Sequence, residues 1–155
     1  MFCCLFLAAC GASSQGEGTD SSETATAHWP ALEKAAVLAG AERAVVPSGP
    51  PPEKVVVEDL VEGRGRPIRK GDWFVIGYVA FSYETKAVRE DKRGVNRWNW
   101  LWGVGQLSRG WEIGLRGLRD GGVRELVVPS RLAYGNGALV YVLKLQKLSD
   151  QPEEI

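Results

Sequence analysis

The stretch Trp98-Asn99-Trp100-Leu101-Trp102-Gly103-Val104-Gly105-Gln106-Leu107-Ser108-Arg109-Gly110-Trp111-Glu112-Ile113-Gly114-Leu115 decides the fold. Its first half puts Trp98, Trp100 and Trp102 at period two, so the three indoles share one face of a strand. Gly103-Val104-Gly105 ends that alternation. Ser108 to Leu115 then reads as a short helix, with Ser108 as the N-cap. Trp111 and Leu115 stand four residues apart and form one face that can pack on a sheet.

The flanking sequence supplies that sheet. Lys54-Val55-Val56-Val57, continuing to Leu60-Val61, is rich in β-branched residues. Gly63-Arg64-Gly65 and Lys70-Gly71-Asp72 are turn signals. Trp73 to Phe81 is the strongest strand, with Phe74, Ile76 and Tyr78 on one face and Trp73, Val75 and Val79 on the other, which predicts a central position. Val123–Val128 and Leu139–Leu145 add two more strands. The expected class is α+β: a twisted antiparallel sheet wrapped around one short helix. No internal repeat is visible.

The chain has 155 residues, 45% hydrophobic and 25% charged, enough for one domain with extensions. No apolar run reaches the ~18–20 residues of a spanning helix. The 19 basic and 19 acidic groups cancel, which gives no sign of a nucleic-acid partner. The cancellation hides an uneven distribution. Residues 1–52 hold two basic and five acidic groups, residues 53–148 hold 17 and 11, and residues 149–155 add three acidic ones. Much of the central excess is in Arg89, Lys92, Arg93 and Arg97, read as a solvated loop, or alternatively as a surface for acidic segments or for the chain's own acidic stalk.

Met1-Phe2-Cys3-Cys4-Leu5-Phe6-Leu7-Ala8-Ala9-Cys10 has the length of a signal-peptide apolar region, although no Lys or Arg precedes it. Leu7-Ala8-Ala9-Cys10 resembles the lipobox of bacterial lipoproteins. That resemblance implies cleavage before Cys10, its lipidation, and tethering to the bacterial envelope, at the outer membrane facing the periplasm. The expected organisation is a leader over 1–9, a flexible acidic linker over 10–52, a folded domain over 53–148 and an acidic tail over 149–155. Within the linker, Leu32, Ala35, Ala36 and Ala39 lie near helical spacing, so a short helix or a plain linker fits Ala31–Val46. Pro47-Ser48-Gly49-Pro50-Pro51-Pro52 marks the boundary.

Much chemistry is excluded. The single histidine, His28, lies in the linker, so a Ser-His-Asp or Cys-His site inside the domain is ruled out. Cys3, Cys4, Cys10 and His28 make no metal-site spacing, and no cofactor or metal is expected. Gly103-Val104-Gly105 lacks the third glycine of a dinucleotide fingerprint. Glu90-Asp91 sits in a charged run and reads as a solvated loop. A density of Trp and Tyr remains, and such residues can line an apolar pocket with a few hydrogen-bond donors.

The order of motifs resembles FKBP-type peptidyl-prolyl isomerases. Val57-Glu58-Asp59-Leu60 with Gly63-Arg64-Gly65, Lys70-Gly71-Asp72 and Gly77-Tyr78 looks like the opening of that domain. Gly103 to Glu112 resembles its central motif, and Gly121-Gly122-Val123-Arg124-Glu125-Leu126-Val127-Val128-Pro129, Leu132-Ala133-Tyr134-Gly135 and Leu139–Leu145 follow as in the family. The resemblance implies the same fold and a pocket at Tyr78, Val88, Trp98, Leu107, Ser108, Trp111, Tyr134 and Tyr141. Of these, Tyr78, Trp111 and Tyr134 would be catalytic: Trp111 the floor, the Tyr134 hydroxyl on the prolyl peptide. Val88, Trp98, Leu107, Ser108 and Tyr141 would bind substrate, the Ser108 N–H holding a carbonyl. It also implies proline-containing polypeptides as partners, together with the family's macrolide ligands.

Two departures stand out. The family's Phe-Asp pair at the pocket rim is Val88-Arg89 here, and its long loop after Tyr-Gly shrinks to Asn136-Gly137, a dipeptide suited to a tight hairpin turn. Three readings follow: a tethered isomerase of reduced activity assisting exported proteins, a non-catalytic module binding peptides in the same cleft, or a structural envelope lipoprotein whose aromatics are all core.

Overall fold

The structure, a computed structural model, describes residues 47–93 and 100–152. Cys10, the leader, the linker helix and Trp98 lie outside the described residues. Six strands form one sheet: β1 (Val56–Val61), β2 (Trp73–Ser82), β3 (Val88–Lys92), β4 (Trp100–Leu101), β5 (Val123–Val128) and β6 (Leu139–Ser149). The order is β1-β5-β6-β2-β3, with β4 also paired to β2, and every pairing is antiparallel. Among the described residues one α-helix, α1 (Arg109–Gly114), connects β4 to β5. The expected class is therefore the observed one.

Strand parity divides the apolar residues between two faces. Phe74, Ile76 and Ala80 of β2 join Leu126, Val128, Tyr141, Leu143 and Leu145 on the inner face, against Trp111 and Leu115. Val79 and Phe81 join Val127, Val140 and Val142 on the outer face. α1 lies close to β5 because glycine faces the strand twice. A Cβ on Gly110 would stand 2.2 Å from Val128 Cγ1, and one on Gly114 2.6 Å from Leu126 Cδ1. The two glycines let the helix axis approach the sheet, and this seats Trp111 at 6% exposure.

Two arginines fasten the frame. Arg124, buried on β5, grips Asp59 of β1 through two hydrogen bonds of 2.6 and 2.8 Å. Its Nη1 also donates to the carbonyls of Gly114 and Arg116, satisfying the C-terminal end of α1. Arg66 makes a bidentate pair with the buried Asp72 at 2.5 and 3.0 Å, and the Arg69 N–H donates to the same carboxylate. Burial would push the Asp72 carboxyl up, but Arg66 and the Arg69 amide together hold it below its ordinary value.

Three local expectations change. Ser108 occupies the N-cap position, yet its hydroxyl makes no capping bond and is buried without a hydrogen-bond partner among the described residues. Glu90-Asp91 belongs to strand β3 rather than a loop, because β2 offers an edge for pairing whatever the polarity of the partner. Asn136-Gly137 is not a two-residue hairpin turn. The β5–β6 link runs from Pro129 to Ala138 through a short 3-10 turn, and positive φ falls on Gly135 and Gly137, not Asn136.

Candidate active site

Three aromatic rings meet on the inner face. Tyr78 (β2), Tyr141 (β6) and Trp111 (α1) come from three elements that the sheet order makes neighbours. The Trp111 ring stands edge-on to Tyr78 at 5.0 Å and 80°, and to Tyr141 at 5.3 Å and 88°. Tyr78 and Tyr141 are 6.0 Å apart at 65°. These are the edge-to-face geometries that ring quadrupoles favour. Beside the triangle opens a cleft of about 250 Å³ lined by Ala80, Arg89, Glu90, Tyr134, Leu139 and Tyr141, with Asn136 and Gly137 at its rim.

Pairing between β2 and β3 corrects the expected wall. Ala80 pairs with Glu90, whereas Phe81 pairs with Val88, and a bulge places Arg89 between them. Glu90 and Arg89 consequently line the cleft. Val88 pairs with a residue of the outer face, is 43% exposed and does not line the cleft. Glu90 sits one residue beyond Arg89, and its carboxylate acts on the Tyr78 phenol, helping to raise it. Sequence reasoning missed Glu90 because the charged run Val88–Lys92 has no hydrophobic period from which a face can be read. The signal lies in its pairing partner.

The basic rim is largely neutralised. Lys92 lies 3.8 Å from Glu90, and Arg93 is paired with Asp91. Arg97 lies outside the described residues. Arg89 stays in the cleft lining opposite Tyr134 and Tyr141.

The other residues named from sequence are distributed as follows. Tyr134 lines the cleft and is 71% exposed, so its hydroxyl is open to a bound chain. Leu107 packs partly buried against the inner core, and Ser108 precedes α1. The rim segment is held by two side chains: the Ala138 N–H donates to Glu84 and the Gly137 N–H to the Ser130 hydroxyl, each at 3.2 Å. Glu84 lies in the β2–β3 turn, so that turn and the cleft rim are tied together.

Burial sets the acidity of the phenols. Desolvation, reinforced by the Glu90 carboxylate, raises Tyr78 far above the ordinary tyrosine value. Desolvation also pushes Tyr141 up to about 12, with the neighbouring Tyr134 adding to the rise and a hydrogen bond from Trp111 opposing it. Both hydroxyls therefore remain protonated and able to donate throughout the neutral range. Among the described residues no group of three or more His, Cys, Asp or Glu side chains could hold a metal ion. No helix among them is long and apolar enough to cross a membrane.

Known proteins are similar to this chain in sequence and in fold. Residues 65–147 match the family of FKBP-type peptidyl-prolyl cis-trans isomerases. An FK506-binding protein of Streptomyces anulatus is 36% identical over 93 residues, which cover 58% of this chain and 73% of that protein. FK506-binding protein 4 of Gibberella zeae is 32% identical over 103 residues, and the chain spans about a fifth (21%) of that relative's length. The crystal structure of AtFKBP13 superposes with a TM-score of 0.55 over 64% of this chain and 96% of that one, at 24% identity, a likeness of fold. The FKBP12 of Mycobacterium tuberculosis superposes at 0.50 with 32% identity, over 65% of this chain and 89% of that one. With its six-stranded sheet, single inner helix and aromatic cleft, this chain belongs to the FKBP-type peptidyl-prolyl cis-trans isomerase family.

Proposed function

We propose that the chain catalyses cis-trans isomerisation of X–Pro bonds in exported polypeptides while tethered to the envelope through Cys10. The observation that carries this reading is the Tyr78–Trp111–Tyr141 triangle beside a cleft in which Tyr134 is open to a bound chain. Amide resonance sets a rotation barrier of ~18–20 kcal/mol. Twisting the bond removes resonance and its charge separation, so an apolar surface favours the twisted form over the planar ground state. Trp111 supplies that surface under the proline ring. The Ser108 N–H holds the flanking carbonyl, and the Tyr134 hydroxyl donates to the prolyl peptide. Rotation breaks no covalent bond, so no base of shifted pKa is needed and phenols that stay protonated suit the task.

Leu107 and Trp98 complete the walls in this reading, and Glu90 orients the Tyr78 hydroxyl. Activity is reduced relative to a fully closed cleft, because Arg89 and the Asn136-Gly137 rim place polar groups where apolar ones would cover the proline. The leader resembling a lipobox supports placement at the outer membrane facing the periplasm. The family's macrolides would compete for the same cleft.

The test is a proline-isomerisation assay with the full chain in detergent. Acceleration over the uncatalysed rate, reduced about tenfold or more by Trp111→Leu, supports the enzyme. Peptide bound with no acceleration would instead establish a non-catalytic recognition module, and neither binding nor acceleration a structural lipoprotein.

A further inference from the structure

The bulge in β3 brings two consecutive charges to the cleft. In a regular strand neighbouring side chains face opposite ways. Between Ala80 and Phe81 the register of β2 with β3 shifts, and Arg89 and Glu90 both line the cleft. Ala80, Leu139, Tyr134 and Tyr141 make up most of the remaining lining.

The two charges differ in what they already hold. Glu90 lies 3.8 Å from the Lys92 ammonium, and its carboxylate acts on the Tyr78 phenol. The next carboxylate along β3, Asp91, is paired with Arg93. Arg89 is exposed and makes no hydrogen bond or ion pair among the described residues. It is the free cation of the cleft lining.

Water solvates this guanidinium while the cleft is open. A polypeptide laid across it displaces that water, and a cation left without a counter-charge is costly to cover. Glu90, the anion of the lining, is already engaged, so the balancing carboxylate has to come from the bound chain. A guanidinium receives a carboxylate through two parallel N–H donors, a stronger and more directional contact than a neutral pair. Reach sets where that carboxylate sits. A sphere of 250 Å³ is ~8 Å across, about two residues of extended chain at ~3.3–3.6 Å each.

Resting on the isomerase reading of this cleft, we propose that Arg89 sets its substrate class: X–Pro segments carrying Asp or Glu within about two residues of the proline. Neutral flanks rank below acidic ones, and Lys or Arg there is rejected. Attraction and repulsion work together, because a cationic flank meets Arg89 with no free anion between them.

The test uses the full chain in detergent and blocked peptides that differ only in Glu, Gln or Lys before or after the proline. Isomerisation gives kcat/KM, and fluorescent versions of the same peptides give binding separately. Expected is a Glu-over-Gln ratio of about three- to tenfold at one of the two positions, from one charged pair partly desolvated by the bound chain. Lys should fall below Gln, and the ratio should shrink between ~0.05 and ~0.5 M salt. Arg89→Gln should bring the ratio to about one, Arg89→Lys should keep part of it, and Arg89→Glu should turn it towards Lys. Lys54→Gln, beside the opposite edge strand β1, should leave the ratio intact. Equal rates and equal binding for the three peptides would overturn the proposal while the isomerase reading stands. The same loss of ratio in Lys54→Gln would do so too, since net charge would then be the cause. Arg89-dependent binding of the Glu peptide without acceleration of any peptide would sink the isomerase reading and keep the charge preference. Neither binding nor acceleration would sink both.

Discussion

Gly110→Ala tests how the helix is held on the sheet, and hence how Trp111 is seated against Tyr78 and Tyr141. The added methyl would stand 2.2 Å from Val128 Cγ1 and 3.0 Å from the Leu132 carbonyl oxygen. Both neighbours belong to the buried β5 wall or its exit, so neither can rotate into solvent. Overpacking of this kind costs ~1–3 kcal/mol, and replacing glycine by alanine in a helix returns up to ~1 kcal/mol. A net loss of ~1–2 kcal/mol is expected. Val128→Ala removes the closest clashing methyl but empties a fully buried site, for ~2 kcal/mol. In the double variant the new methyl occupies part of the space that Val128 vacates. The two losses should then fall short of their sum by ~1 kcal/mol or more, a coupling typical of side chains in contact. Urea unfolding followed by far-UV circular dichroism measures all four corners of the cycle. Additivity to within ~0.3 kcal/mol would refute the close approach of α1 to β5. Because Leu132 O is backbone, the double variant should still not regain wild-type stability.

Two further outcomes can be checked on the same protein. Arg124→Met should lose ~2–4 kcal/mol in urea unfolding, since it strands the Gly114 and Arg116 carbonyls at the end of α1 and breaks a bidentate pair, whereas Asp59→Asn should lose less because Asp59 is half exposed and can hydrate. The folded-state Asp72 carboxyl titrates below its unfolded value, so the Arg66 pair stabilises above the ordinary aspartate range near ~3.9 and its contribution is lost as pH falls through the folded-state value. Asp72→Asn should flatten the acid limb of thermal stability against pH; an unchanged limb would contradict the pairing.

Local sequence determined most of the fold. Trp73–Phe81 alternates two apolar sets, and a strand apolar on both faces must lie inside a sheet, where β2 indeed has neighbours on both sides. Ser108 to Leu115 announces one short helix because Trp111 and Leu115 repeat at helical spacing, and both pack on the inner face. The aromatic residues of the site were legible for the same reason: large amphipathic rings at strand and helix positions must be packed or line a pocket. Tertiary structure alone decided the rim. Whether Val88 or Glu90 faces the cleft depends on a bulge between Ala80 and Phe81, and a one-residue slip reverses the face of every following side chain. The carboxylate beside Tyr78 was therefore present in the sequence at Glu90, but only the pairing of β2 with β3 gives it a face. The same holds for Phe81, Val140 and Val142. Their hydrophobicity can be read residue by residue, but their assembly into a second buried face follows from strand order, which no local period encodes.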